Sequence, residues 1–211
     1  MKKILVIAIL FFGGVFTANA QYNSFWSFNW QMSQGTGDVG EYISEFSPRG
    51  FEIEGKYFIS PGLAVGGKVA WNGIYQQKNR DTYKYNENVH VNSIQRRYLY
   101  SMPIMANISW FPTEYDQENM FFPYASIGVG TIYTQQETDN GLYYTDNHQW
   151  SFAASPEIGT IIKLGDAFGI NLKASYTWGT FDSLQGSMDG KLPTIENYGM
   201  MNYSVGFTFM Y

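Results

Sequence analysis

The sequence contains no cysteine, so it can build neither a disulfide framework nor a thiolate metal site. It has two histidines, His90 and His148, too few for a metal site that wants three or more ligands. Charged residues make up 15 % of the 211 residues, against about 25 % in an ordinary soluble domain. The formal net charge is −5, the wrong sign for holding nucleic acid phosphates. Beyond residue 20 no apolar run comes near the roughly 20 residues that a membrane-spanning helix needs. Any insertion into lipid must therefore use a closed barrel, since only helices and closed barrels satisfy every backbone polar group there.

Aromatic residues are abundant, at 18 %. The N-terminus has Lys2 and Lys3, an apolar run over residues 4–16, and then Ala18-Asn19-Ala20. This reads as a secretory signal with cleavage after Ala20, leaving residues 21–211 as one domain. Gln21 follows the cut, so no lipoprotein anchor is expected.

The mature part alternates with period two, the mark of strands. The clearest case is residues 197–211. Gly199, Met201, Tyr203, Val205, Phe207, Phe209 and Tyr211 form one face, and Tyr198, Met200, Asn202, Ser204, Gly206, Thr208 and Met210 the other. Seven earlier segments alternate likewise, led by Trp26, Phe51, Leu63, Tyr98, Ala125, Trp150 and Ile170. Ser60-Pro61-Gly62 and Gly165-Asp166-Ala167-Phe168 make tight turns, and residues 112–119 an acidic one. Residues 34–48, 76–95, 135–149 and 182–196 read as long polar loops. Eight strands whose connections alternate long and short predict an antiparallel up-and-down barrel, all long loops at one end. Pro103 and Pro156 fall within strands, so a β-bulge is expected near one or both.

Volume decides which face is outside. An eight-stranded barrel has an interior just wide enough for side chains to fill. The bulkier face carries all six tryptophans, too much for that lumen, while the other is rich in Gly, Ala and Ser. The expectation is bulk outward into lipid, with Trp and Tyr at the interfaces, and small or polar groups inward. The inward face then carries Glu52, Glu54, Lys56, Lys68, Arg97, Glu157, Lys163 and Lys173. A charge facing a narrow lumen costs several kcal/mol unless paired, so this set predicts an ion-paired plug; a gated ion path is the alternative. A turn centred on Pro61 sets Ile59 against Leu63, and counting back sets Glu54 against Lys68 as an ion pair.

The signal, the eight amphipathic strands and the run from Tyr203 to Tyr211 resemble the small outer-membrane β-barrels of the OmpA/OmpX type. That resemblance implies an eight-stranded transmembrane barrel with short periplasmic turns and long extracellular loops, in the outer membrane of a Gram-negative bacterium. It implies lipid and lipopolysaccharide as surroundings, and interior ion-pair networks. It also implies a C-terminal signal (Tyr203, Val205, Phe207, Phe209, Tyr211) read by the barrel-assembly machinery, although a final Tyr departs from the commoner Phe. Some enzymes of this fold deacylate lipid A with a His, a Ser and an acid. Here both histidines fall in predicted loops, with Ser151 near His148, and no triad spacing is present. No catalytic residue and no cofactor is expected. Loop aromatics Tyr42, Phe46, Tyr83, Tyr85, Tyr143 and Tyr144 suit an extracellular protein partner or packing over the rim. Asp182-Ser183-Leu184 is similar to a short O-glycosylation motif. The function expected is structural or surface interaction, with a narrow pore as the alternative and a lipid A-modifying enzyme as a remote one.

Overall fold

The computed structural model describes residues 24–86, 89–112, 119–141, 144–184 and 195–210. The signal segment, Gln21, Tyr143 and Tyr211 lie outside them, as do the side chains of Tyr83, Tyr85 and Ser183. Eight antiparallel strands close into a barrel in chain order: β1 (Ser24–Gly35), β2 (Gly50–Ser60), β3 (Leu63–Asn86), β4 (Val89–Trp110), β5 (Phe121–Asp139), β6 (Tyr144–Gly165), β7 (Phe168–Leu184) and β8 (Ile195–Met210). β8 meets β1 from Phe25↔Met210 to Gly35↔Met200, so the ring of eight strands closes. Among the described residues no helix is long and apolar enough to cross a membrane.

The alternation carries the expected phase throughout. Trp26, Trp30, Trp110, Trp150 and Trp178 are all more than 40 % exposed on the outer face, with Ile108, Ile127 and Ile158 between the aromatic ends. Ser27, Asn29, Gln31, Ser33, Ser101, Asn107, Asn171 and Asn202 are buried inside. A closed ring of strands with apolar side chains outward is what lipid requires.

Four expectations are corrected. First, the polar stretches 76–95 and 135–149 are mostly strand: β3 and β4 pair out to Asn86↔Val89, and β5 and β6 out to Asp139↔Tyr144. Backbone pairing continues there although apolar alternation has stopped. His90 and His148 therefore stand on strands, both exposed.

Second, neither proline makes a bulge. β4 holds one register against β3 from Val69↔Ile104 to Asn72↔Ser101, and β6 one register against β7 from Ala154↔Trp178 to Glu157↔Ser175, with the proline positions merely unpaired. On its other side each proline pairs normally, Pro103 with Ile132 and Pro156 with Ile127. The missing N–H thus faces β3 for Pro103 and β7 for Pro156, and each ladder skips the lost bond without slipping.

Third, the first tight turn is two residues long. Ser60 pairs with Leu63, and a register shift between Phe58 and Ser60 brings Phe58 opposite Ala64. The Ile59–Leu63 pairing is overturned, yet Glu54 still faces Lys68. Gly62 takes φ 78° in this turn, where an added Cβ would sit 2.7 Å from the Phe111 carbonyl oxygen.

Fourth, the lumen is not uniformly small and polar. Phe25, Phe58, Phe111, Phe122, Tyr124, Ile161 and Met210 fill the short-turn end. Large groups fit because small ones stand beside them: a Cβ on Gly159 would lie 2.7 Å from the Tyr124 ring. At the other end Ile74, Leu99, Ile132, Tyr198 and Met200 pack around α1 (Asp38–Tyr42), a short helix in the connection between β1 and β2.

Candidate functional site

The eight inward charges lie at three heights. β2 presents Glu52, Glu54 and Lys56 on one face, at the spacing of two that a strand gives same-side residues. β3 adds Lys68, β6 adds Glu157 and β7 adds Lys173, and all six are at most 6 % exposed. Lys173 Nζ is the hub, 2.6 Å from Glu52 Oε1, 3.0 Å from Glu54 Oε2 and 3.5 Å from Glu157 Oε2. Lys68 Nζ donates to Glu157 Oε2 at 2.7 Å and to Ser155 Oγ at 3.1 Å. Lys56 Nζ stands 3.2 Å from Glu54 Oε1 and 3.7 Å from Glu157 Oε1. It also lies 3.6 Å from the centre of the Tyr124 ring, a cation–π contact.

Neutral amides complete the tier. Asn29 donates to Glu52 Oε1 and Asn107 to Glu54 Oε1, each at 2.8 Å. Tyr124 donates to Asn171 Oδ1 at 3.0 Å. Three carboxylates meet three ammonium groups, so the tier carries no net charge. One pair about 4 Å apart gains about 4 kcal/mol at an effective dielectric of 20, roughly what it costs to dehydrate one ion. Lys173 offsets its own dehydration by sharing its charge among three carboxylates.

Arg97 and Lys163 are not brought to this tier. Arg97 lies toward the long-connection end, where its Nε donates to Gln95 Oε1 at 2.7 Å and its Nη1 to the Tyr42 carbonyl at 2.9 Å. Lys163 lies near the short-turn end, 3.6 Å from the exposed Asp166. Glu54 and Lys68 face each other but do not pair, because each reaches further across the lumen. Of the C-terminal set, Tyr203, Phe207 and Phe209 are exposed on the outer face of β8 and Val205 is half-buried.

Above the charges runs a polar chain. Ser155 meets Thr177 at 3.3 Å, Asn202 donates to Thr177 at 3.1 Å, and Ser33 donates toward Asn202 at 2.8 Å. Above that, the connection 36–49 folds into the mouth, an arrangement the sequence reading missed because five helical residues show no periodicity. Val39, Tyr42 and Ile43 of this loop are fully buried. The Tyr42 hydroxyl donates to the Glu137 carbonyl at 2.9 Å, and burial pushes its phenol pKa up. Asp38 Oδ2 accepts from the backbone N–H of Glu196 at 3.0 Å and of Asn197 at 2.9 Å. Ser47 and Ser33 exchange backbone bonds at 2.8 and 2.9 Å. Of the loop aromatics, Phe46 and Tyr144 are exposed.

Among the described residues no group of His, Asp and Glu could hold a metal, and neither His90 nor His148 has a hydrogen-bonded serine or carboxylate.

No family model matches the chain, and no curated protein does. Among solved structures it is similar to Neisserial surface protein A, at 15 % identity and a TM-score of 0.51 over 89 % of this chain and 96 % of that one. It is also similar to the outer membrane protein OprG from Pseudomonas aeruginosa, at 10 % identity and a TM-score of 0.50 over 90 % of this chain and 95 % of that one. The fold reached strand by strand above is the one these two share: the small, eight-stranded, up-and-down outer-membrane β-barrel.

Proposed function

We propose that the mature chain is an integral protein of a Gram-negative outer membrane, with a closed lumen and a structural or surface-interaction role. In this reading the signal is removed near Ala20, the barrel-assembly machinery inserts the chain, and lipid and lipopolysaccharide surround it. The observation that carries the reading is that the lumen is filled at three successive heights. The aromatic cluster around Phe25, Phe58 and Phe111 stands at the short-turn end, the ion-paired tier in the middle, and the 36–49 loop in the mouth. Side chains occupy the bore that a solute would need, which leaves the outer surface to meet partners.

A narrow pore is the second reading. It is favoured by buried polar atoms without hydrogen-bond partners in the protein, Gln31 Oε1, Asn72 Nδ2 and Ser204 Oγ, a lining that water could wet. Planar-bilayer recording separates the two. The closed reading expects little or no current from purified protein, and a stable large conductance overturns it. Fractionation with outer membranes, and faster gel migration unboiled than boiled, test the location; recovery from the soluble periplasm would refute it.

A further inference from the structure

Resting on the surface-interaction reading, we propose that the outer third of β6, residues 144–150, is a strand-addition site. It would take an extended segment of a partner protein with lysine or arginine and aromatic residues at alternate positions.

The pairing of the wall carries the proposal. β6 bonds β7 only as far as Ala153↔Gly179, then continues outward to Tyr144. β7 stays with β8 through Thr180↔Asn197 and Leu184↔Ile195. Among the described residues no strand pairs with the β7-facing side of β6 beyond Ala153, while its other side is paired with β5 all the way to Asp139↔Tyr144.

The opposite free side, on β3, is blunted. Its pairing with β2 ends at Gly50↔Asn72, and the 36–49 loop then covers it: Gly73 donates to the Arg49 carbonyl at 2.9 Å, and Gln76 binds Ser44 at 2.9 Å. Beyond that come Lys78, Arg80 and two register irregularities, at Lys78/Asp81 and Lys84/Asn86. Bulges and basic residues are the usual protections against strand addition. Residues 144–150 have no proline, no lysine, no arginine and no register shift.

The skipped bond at Pro156 shows which amides face that side, where no described strand bonds them. Its N–H position faces β7, and strand alternation gives Trp150, His148, Asp146 and Tyr144 the same direction. Their side chains lie on the exposed outer face. There Glu137 sits opposite Asp146, and the Gln135 amide bridges the two acids at 3.0 and 3.2 Å. A cation on an added strand would face Asp146 as a cross-strand neighbour and relieve that like-charge pair. Aromatic residues would face Trp150 and Tyr144.

The test uses the full barrel in nanodiscs and a labelled synthetic peptide with lysine and tyrosine on one face and threonine on the other. Binding is expected, with new protection from amide hydrogen exchange at Tyr144, Asp146, His148 and Trp150 and little change at the alternate amides already bonded to β5. His148→Pro removes an open N–H and none that bonds β5, so the barrel should fold and bind the peptide roughly tenfold more weakly. His148→Ala should bind as the parent does. Equal affinity for the proline variant, or binding without that alternating protection, overturns the proposal. So does concentration-dependent self-association abolished by His148→Pro, which would make the occupant a second copy. Failure in a barrel that stays non-conducting overturns the edge alone, whereas an open conductance overturns the closed-barrel reading beneath it.

Discussion

Glu54 and Lys68 face each other across the β2–β3 ladder, yet each bonds elsewhere: Lys68 to Glu157 at 2.7 Å, Glu54 to Lys173 at 3.0 Å. A double-mutant cycle should therefore find the larger coupling between Lys68 and Glu157. Lys68→Met is expected to cost about 3 kcal/mol in urea unfolding, since it removes the shortest ion pair of the buried Glu157 and leaves the tier one cation short. Adding Glu157→Gln should recover more of that loss than adding Glu54→Gln. The reverse order would place the pair within one hairpin.

Lys173 touches all three acids of the tier. Lys173→Met should be the most damaging of the three lysine changes, exceeding the loss from Lys68→Met, because it takes one shared cation from all three acids at once. Unfolding midpoints of the three neutral variants would rank them; a Lys173 variant no worse than the Lys56 one would refute the hub.

Ile158 is 67 % exposed on the outer face, midway between Trp150 and Leu164 on β6. In a bilayer Ile158→Lys should cost about 2–4 kcal/mol, whereas an exposed substitution in water usually changes stability by less than about 0.5 kcal/mol. Unfolding from lipid vesicles measures it, and an unchanged midpoint would mean this face does not meet lipid.

The 36–49 loop should loosen without opening the bore. Asp38→Ala removes an acceptor shared by two β8 amides, worth about 1–2 kcal/mol to the docked loop. Faster proteolysis within the loop, with conductance still near zero, is the expected result. Docking should also weaken as pH rises past the ordinary tyrosine value of 10.0, because the buried Tyr42 phenol holds its proton while the undocked one releases it. Proteolysis that does not quicken above that pH would contradict this.

The face of every strand was legible in the sequence, because a lipid-facing ring enforces period two. The Glu54 register was legible for a less direct reason: the turn starts one residue later than its composition suggested, and a shift next to Phe58 restores the count. Beyond the apolar band the signal fades. Residues 76–95 and 135–149 are polar on both faces, so nothing in their pattern separates a strand from a loop. Which carboxylate Lys68 chooses was not legible either. Register relates neighbouring strands, while Glu157 reaches Lys68 across the bore from β6. The fully buried Tyr42 and Val39 belong to a helix too short to announce itself.

The charged tier draws on β2, β3, β6 and β7, and the pair Lys173–Glu54 spans 119 positions of sequence. No single hairpin can assemble it. In a half-built wall these six groups face open water, so dehydrating them must wait until β8 finds β1 and the ring shuts. Electrostatic gain, expulsion of water and completion of the wall then fall in one late step. Contacts this distant also slow folding. This makes insertion an all-or-none event: an unclosed wall stays wet and charged along its groove, poorly suited to rest in lipid, and the finished barrel has little reason to reopen.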